Sequence, residues 1–279
     1  MNKINIFYEH IMEAQTQNND NIPLEKLLEK VKSMGIVGLE CDLWRLADMK
    51  NTKALFDSCG LSVSSVYNMF DFGHEEHNTC EQKFRKHLET AAYFGADKVL
   101  AVAGFINADD NADLIRGKMC EELDRMCEAA KEYGITVTLE DFDDINAPFC
   151  TTDGLAYFME NVKGLGFTFD TGNFAYCMED AGTAYSRLKK YVSHVHLKDR
   201  SYDEKRSDKN GTNGKAQLSG KIMYPCEVGS GFIGIEGLMA QLLKDGYSGS
   251  FSIEHFGASD QLEYMKRSAE NVKKYLERK

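Results

Sequence analysis

The sequence predicts an α/β fold in which one (β/α)8 TIM barrel occupies the chain. Eight short β-like runs alternate with longer amphipathic stretches, and no break in composition divides the 279 residues. Glycine repeatedly closes a helical stretch just ahead of the next strand. The expected strands are residues 4–8, 36–41, 61–67, 98–103, 135–140, 166–170, 192–197 and 250–254. A doubly wound open sheet would share this alternation, but G-x-G-x-x-G is missing after the first run.

Each helical stretch has its own local reason. Residues 23–31 place Pro23 at the start of a run whose apolar positions recur at helical spacing. In residues 114–133, Leu123, Met126, Cys127 and Ala130 form one stripe. The pairs Gly35-Ile36, Gly60-Leu61, Gly95-Ala96, Gly134-Ile135 and Gly246-Tyr247 supply the stops. The regular spacing fails once, at residues 202–231, which are rich in Lys, Asp, Gly and Asn. Residues 208–215 there are predicted to be turn-rich or mobile. As an excursion after a strand, the segment belongs on the C-terminal face, where barrels carry their sites. We expect a lid-like insertion in a single domain of residues 1–279.

Composition narrows the function classes. A hydrophobic content of 43% is enough for a large core, and the net charge of −11 disfavours nucleic acid as a partner. The basic stretches are Lys189 and Lys190, residues 198–221 and residues 273–279, the last fitting a solvated helix end. No apolar run reaches the roughly 20 residues that span a bilayer, and the first residues form no secretory core. A soluble, cytoplasmic protein without a membrane partner is expected; self-association into a homo-oligomer is left open. The eight cysteines contain no C-x-x-C pair and read as reduced thiols rather than a disulfide or zinc framework.

The last four strands carry the chemistry. Alternate residues of a strand face opposite sides. On that period Val137/Leu139, Phe167/Phe169, Val195/Leu197 and Phe251/Ile253 would pack against helices. The other faces hold Thr136/Thr138/Glu140, Thr168/Asp170, His194/His196/Lys198 and Ser250/Ser252/Glu254. Four neighbouring strands would thus bring Glu140, Asp170, a histidine and Glu254 to one rim. Buried carboxylates so close repel and lose hydration, and a divalent cation removes that cost. Oxygen-rich ligation with one imidazole suits Mn, Mg, Co or Zn without choosing among them. The alternative is an ion-pair network in which Lys198 and His194 neutralise the acids.

At these residues the sequence resembles the xylose-isomerase-like sugar isomerase/epimerase superfamily, also described as the sugar phosphate isomerase/epimerase family. The matching stretches are Thr138-Leu139-Glu140, Phe169-Asp170-Thr171-Gly172-Asn173, His194-Val195-His196-Leu197-Lys198-Asp199, Gly229-Ser230-Gly231, and Tyr247-Ser248-Gly249 leading into Ser252-Ile253-Glu254. The resemblance implies one divalent metal held by Glu140, Asp170, His196 and Glu254, with His194 one layer deeper as support. It also implies that Glu140 and Glu254 carry protons on opposite faces of a substrate whose enediolate the metal stabilises. Two departures stand out. Asn173 occupies a position that is often histidine in ketose epimerases, and Lys198 and Arg200 stand where an arginine is usual.

Further residues expected around a substrate are Asn173, Lys198, Arg200, His194, Tyr8, His10 and Trp44. Tyr8 and His10 share parity at the end of the first strand, and Trp44 could stack on a sugar or cap the barrel. Phosphate binding by the Gly229-Ser230-Gly231 turn is a minor alternative. His74-Glu75-Glu76-His77 is not H-E-x-x-H and reads as a solvated loop.

The leading expectation is a metal-dependent isomerase or epimerase of a small sugar, sugar phosphate or cyclitol. Lyase chemistry on the same platform, such as inosose dehydration or C-glycoside cleavage, is the runner-up. An apurinic-site endonuclease-like hydrolase would need more inward histidines than the seven in this chain provide, and a basic surface. A non-catalytic sugar-binding barrel would have no use for an acid/base pair.

Overall fold

The computed structural model describes residues 2–18 and 21–278. Eight parallel strands close on themselves: β1 (Ile4–Phe7), β2 (Gly38–Asp42), β3 (Ser62–Met69), β4 (Lys98–Val102), β5 (Thr136–Glu140), β6 (Gly166–Asp170), β7 (Val192–Ser201) and β10 (Phe251–Glu254). They pair in chain order, and β10 pairs with both β1 and β7, which completes a TIM barrel. The helices that surround it are α1 (Tyr8–Gln17), α2 (Leu24–Ser33), α3 (Met49–Ser58), α4 (His77–Phe94), α5 (Ala112–Ala130), α6 (Thr152–Asn161), α7 (Ala181–Leu188), α8 (Ile235–Lys244) and α9 (Gln261–Glu277). No helix among the described residues is long and apolar enough to cross a membrane. The basic C-terminal run lies largely on α9; its last residue, Lys279, is outside the described residues.

Short polar side chains start several of these helices. Asn111 accepts from the Leu114 amide, Thr151 from Gly154, Asp180 from Thr183 and Asp260 from Glu263. At the other end, Gly95 closes α4 in the left-handed conformation (φ 77°), which a side chain would strain. α2 begins directly after Pro23, and α5 continues through a 3-10 turn to Tyr133.

The hydrophobic core lies between barrel and helices. Ile6, Leu39, Val99, Val137, Leu139, Phe167, Phe169, Val195, Leu197, Phe251 and Ile253 are all fully buried in it. The inward faces are polar. Thr168 Oγ1 donates to Thr138 Oγ1 (2.7 Å), which donates to the Val99 carbonyl (3.1 Å). Two register shifts interrupt the pairing, between Leu39 and Glu40 against β3 and between Phe167 and Thr168 against β7. Each sits just before an inward acid or histidine, where a bulge re-aims side chains.

Two sequence expectations change here. The first strand ends at Phe7, and Tyr8 opens α1 on the outward face, its ring 5.0 Å from that of Phe56. The two-residue period sets Ile4, Ile6 and Tyr8 outward, so Phe7 takes the inward position and Tyr8 does not reach the mouth. The other concerns residues 202–231: the predicted turns fall at 209–213, and around them the segment carries paired strands that the spacing did not predict. β7 runs on past the barrel to Ser201 and pairs antiparallel with β9 (Ile222–Cys226), which pairs in turn with β8 (Lys215–Ala216).

Asp199 is the joint between barrel and hairpin. Its Oδ2 accepts from the amides of Gly229 and Gly231 (both 2.9 Å), and its Oδ1 from Arg200 (2.9 Å) and Ile233 (3.3 Å). The Gly229 and Gly231 amides are therefore already occupied by a carboxylate and the Ser230 amide by the Glu227 carbonyl (2.9 Å), which removes the phosphate reading of that turn. A side chain at Gly231 would run into Asp199 Oδ1 and the Arg200 carbonyl, so the turn needs glycine. Asp199→Ala would leave the amides of Gly229, Arg200, Gly231 and Ile233 without their acceptor. It should lower the unfolding free energy by about 3 kcal/mol in urea titrations, with Asp199→Asn losing less.

Candidate active site

Four inward side chains meet at the C-terminal ends of β5, β6, β7 and β10. One ligand atom each from Glu140, Asp170, His196 and Glu254 lies within 4.8 Å of all the others, and all four residues are buried. His196 Nδ1 stands 2.6 Å from Glu140 Oε1 and 3.4 Å from Glu254 Oε2. Donors on opposite sides of a cation with bonds of roughly 2.1 Å would be about 4.2 Å apart, so the cluster has the right size.

The D-T-G-N stretch explains how Asp170 is aimed. Its Oδ1 accepts from the amides of Gly172 (2.7 Å) and Asn173 (2.8 Å), while the buried Oδ2 has no partner. Gly172 must lack a side chain because a Cβ would come within 2.7 Å of the Lys198 carbonyl. The orphaned oxygen, three carboxylates and one imidazole in a water-excluded space are the donor set of a divalent cation. The cluster is consistent with such a site.

Electrostatics point the same way. Burial, reinforced by Glu254, raises the Glu140 carboxyl above its usual range despite His196. Burial likewise pushes Asp170 well up, although Lys198 opposes it. Glu254 is the exception: burial would raise it, yet Lys198 and His196 hold it far below the usual carboxylate range. Lys198 Nζ donates to Glu254 Oε1 (2.6 Å) and Asn173 Oδ1 (2.7 Å). The expected ion-pair network thus exists for Lys198 but not for His194.

His194 and Glu40 form the layer beneath. Glu40, on β2, is fully buried and takes hydrogen bonds from His194 Nε2, Ser252 Oγ and His196 Nε2, the last at 3.0 Å. Burial works against its charge, but the two histidines hold it ionised. With His196 Nε2–H given to Glu40, the Nδ1 lone pair is left for the cluster. His194 supports from below rather than lining substrate space. The sequence reading missed Glu40, although β2 carried the signal: Leu39 and Cys41 face outward, which sets Glu40 inward with the other ligand strands.

The remaining expected residues fall in different places. Asn173 is buried and donates through Nδ2 to the Asp141 carbonyl (2.7 Å). Arg200 is buried in phase with His196 and Lys198. His10 is buried behind the site, stacked on His255 (4.5 Å) and accepting its amide (3.0 Å). Phe7, not Tyr8, meets the His196 ring, at 5.0 Å. Trp44 lies on a 3-10 turn after β2, 60% exposed, with the Arg45 guanidinium carbon 3.7 Å above its ring. It neither caps the barrel nor offers that face to a sugar. His74 and His77 face separate acids, His74 Nε2 meeting Asp110 (2.9 Å) and His77 Nδ1 meeting Glu122 (2.9 Å), so they share no ligand geometry.

Two loop acids and one at the start of α1 escaped the sequence reading. Asp141 accepts the Asp170 amide (3.0 Å), and burial beside Asp170 and Glu140 pushes its carboxyl well up. Asp143 meets Lys215 (2.9 Å) of the hairpin and Lys198 (3.7 Å). Glu9, at the start of α1, is pushed by burial to about 7 against hydrogen bonds from Tyr67 and the Asp42 amide.

The sequence matches the family described as Xylose isomerase-like TIM barrel over residues 28–275. No curated protein matches it. Among solved structures, an L-ribulose 3-epimerase superposes with TM-score 0.76 at 16% identity, covering 100% of this chain and 95% of its own. A probable 3-DHS dehydratase, AsbF, from Bacillus anthracis gives 0.75 at 15% identity, covering 98% and 99%. A xylose isomerase-like barrel from Mycobacterium smegmatis in complex with magnesium gives 0.69 at 20% identity, covering 92% and 90%.

Two measurements probe this layer of the site. Glu40→Gln should weaken Mn²⁺ binding about 10- to 100-fold by calorimetry, since the group orienting His196 loses its charge. Glu9 is raised from 4.5 to about 7 in the folded state, so the folded protein holds the extra proton between those values. Stability should therefore fall as pH rises through that window. Glu9→Gln should recover up to about 3 kcal/mol at pH 8 and almost nothing at pH 4, read by denaturant titration.

Proposed function

Because the chain belongs to the xylose isomerase-like TIM barrel family, we propose that it is a divalent-metal-dependent isomerase or epimerase of a small sugar, sugar phosphate or cyclitol. The observation that carries this reading is the placing of Glu140 and Glu254 on strands separated by β6 and β7, on either side of the buried His196. Glu140, Asp170, His196 and Glu254 would hold the cation. When bound, it supplies Lewis acidity toward a carbonyl and its neighbouring hydroxyl.

The chain's own groups do the rest. Glu140 meets His196 through Oε1 and keeps Oε2 for proton work, while Lys198 holds Glu254 as a carboxylate. One carboxylate removes the proton next to the carbonyl and the other returns one to the opposite face. Lys198 and Asn173 donate and accept at the rim, where substrate hydroxyls must be oriented. Phe7 and Phe256, with ring centroids 5.4 Å apart, form an apolar wall.

The hairpin of residues 202–231 acts as the lid. Gln217 Nε2 donates to the Ala175 carbonyl (2.8 Å) and Asn213 Nδ2 to the Gly257 carbonyl (3.0 Å), which links the loops after β6 and β10 across the mouth. Lid closure keeps water from the reacting carbon.

The test is turnover in D₂O by Mn²⁺-loaded protein, screened over ketoses, aldoses, their phosphates and inososes. Deuterium should appear at one carbon, and Glu140→Gln or Glu254→Gln should each slow turnover by roughly 10²- to 10⁴-fold. Turnover without label uptake would sink the proton-transfer reading. Loss of water from the product would assign a lyase.

A further inference from the structure

Arg200 is an unusual cation. It shares the inward phase of β7 with His196 and Lys198, yet it is only 5% exposed and forms no ion pair among the described residues. Its Nε is buried without a hydrogen-bond partner. A guanidinium removed from water is costly unless a counter-charge or acceptor meets it. Beside it, Tyr176 is also 5% exposed, and its buried hydroxyl has no partner. The guanidinium carbon lies 5.4 Å from the Tyr176 ring centroid, and Lys215 Nζ of the hairpin lies 5.0 Å from the same ring. Donors with unused capacity therefore converge on one aromatic face under the lid.

The local charge is unbalanced as well. Lys198, Arg200 and Lys215 face Asp143, Glu254 and Asp170, of which Glu254 and Asp170 belong to the ligand cluster. Lys215 and Lys198 share Asp143, and Lys198 also holds Glu254, which belongs to the ligand cluster. With Glu254 and Asp170 committed to the cluster, Asp143 is left to balance three cations, in a chain whose net charge is −11. The nearby amide turn cannot balance them, because Asp199 already fills that turn. A neutral sugar would leave the guanidinium without a direct ion-pair partner, whereas an oxyanion would match its planar fork.

We propose that the substrate carries an anionic group, a carboxylate or a phosphate, at the end remote from the Glu140–Asp170–His196–Glu254 cluster, and that Arg200, Tyr176 and Lys215 form the subsite that receives it. This rests on the catalytic reading of the same mouth and narrows it to acidic polyols and sugars.

The test is calorimetric titration with three five-carbon probes, D-xylulose, D-xylulose 5-phosphate and D-xylonate, on Mn²⁺-loaded and on EDTA-treated protein. One anion should bind at least about 30-fold more tightly than D-xylulose at low salt, and the preferred anion identifies the group. Arg200→Met should remove most of that preference, and Arg200→Lys should retain part of it. Lys215→Met and Tyr176→Phe, which delete donors of the same subsite, should each reduce the preference and carry the test if Arg200→Met does not fold. Equal binding of the three probes, no binding of any, or an unchanged preference in these variants overturns the proposal. No subsite residue is a metal ligand, so the preference should persist after EDTA. Turnover without deuterium uptake would then sink the proton-transfer reading and leave the anion preference standing.

Discussion

The structure depends on how three carboxylates are kept together in a space that water does not reach. At the ends of β5, β6 and β10, each acid is deprived of hydration and faces the charge of the others. Every neighbouring feature reduces that cost in a specific way. The turn after β6 gives two amides to Asp170, Lys198 reaches across to Glu254, and His196 stands between Glu140 and Glu254 with its other nitrogen held by Glu40. Oxygen Oδ2 of Asp170 is left without protein help, which is why a cation completes the set better than further hydrogen bonds would.

Such a polar interior is affordable because cohesion comes from elsewhere. The outward faces of the strands, from Ile6 round to Ile253, pack against the helices in one continuous apolar layer. That layer carries the hydrophobic stabilisation. The inside of the barrel can then be built from Thr138, Thr168, His194, Glu40 and Ser252, provided each finds a partner. Strand alternation separates the two tasks, one face for stability and the other for chemistry.

Above the cluster, the extension of β7 turns a barrel strand into the stem of the hairpin that we propose as a lid. The phase that points His196 inward also points Lys198 and Arg200 inward, so a single strand supplies a ligand, an orienting cation and a cation with unused capacity. Asp199, of opposite phase, binds the Gly229–Gly231 amides and pins the hairpin in place. The hairpin therefore belongs to the site: it brings Lys215 to Asp143 and Tyr176.

The sequence by itself determined the barrel, the outward and inward sets of its last four strands, and the meeting of Glu140, Asp170, His196 and Glu254. The inward and outward sets and the three acids follow from the two-residue period of a strand, which is local and needs no partner; the choice of His196 over His194 came from the family resemblance. The same period would have placed Glu40 inward from Leu39 and Cys41, but it could not tell which histidine Glu40 would orient, since they lie 154 and 156 residues apart. Tyr8 was misplaced although the period of Ile4 and Ile6 already sets it outward; the strand stops at Phe7, where α1 begins. The hairpin, the filling of the glycine turn by Asp199, and the solitary burial of Arg200 beside Tyr176 were decided only by tertiary structure. They arise from contacts between loops, and no periodicity in the chain encodes which loops will touch.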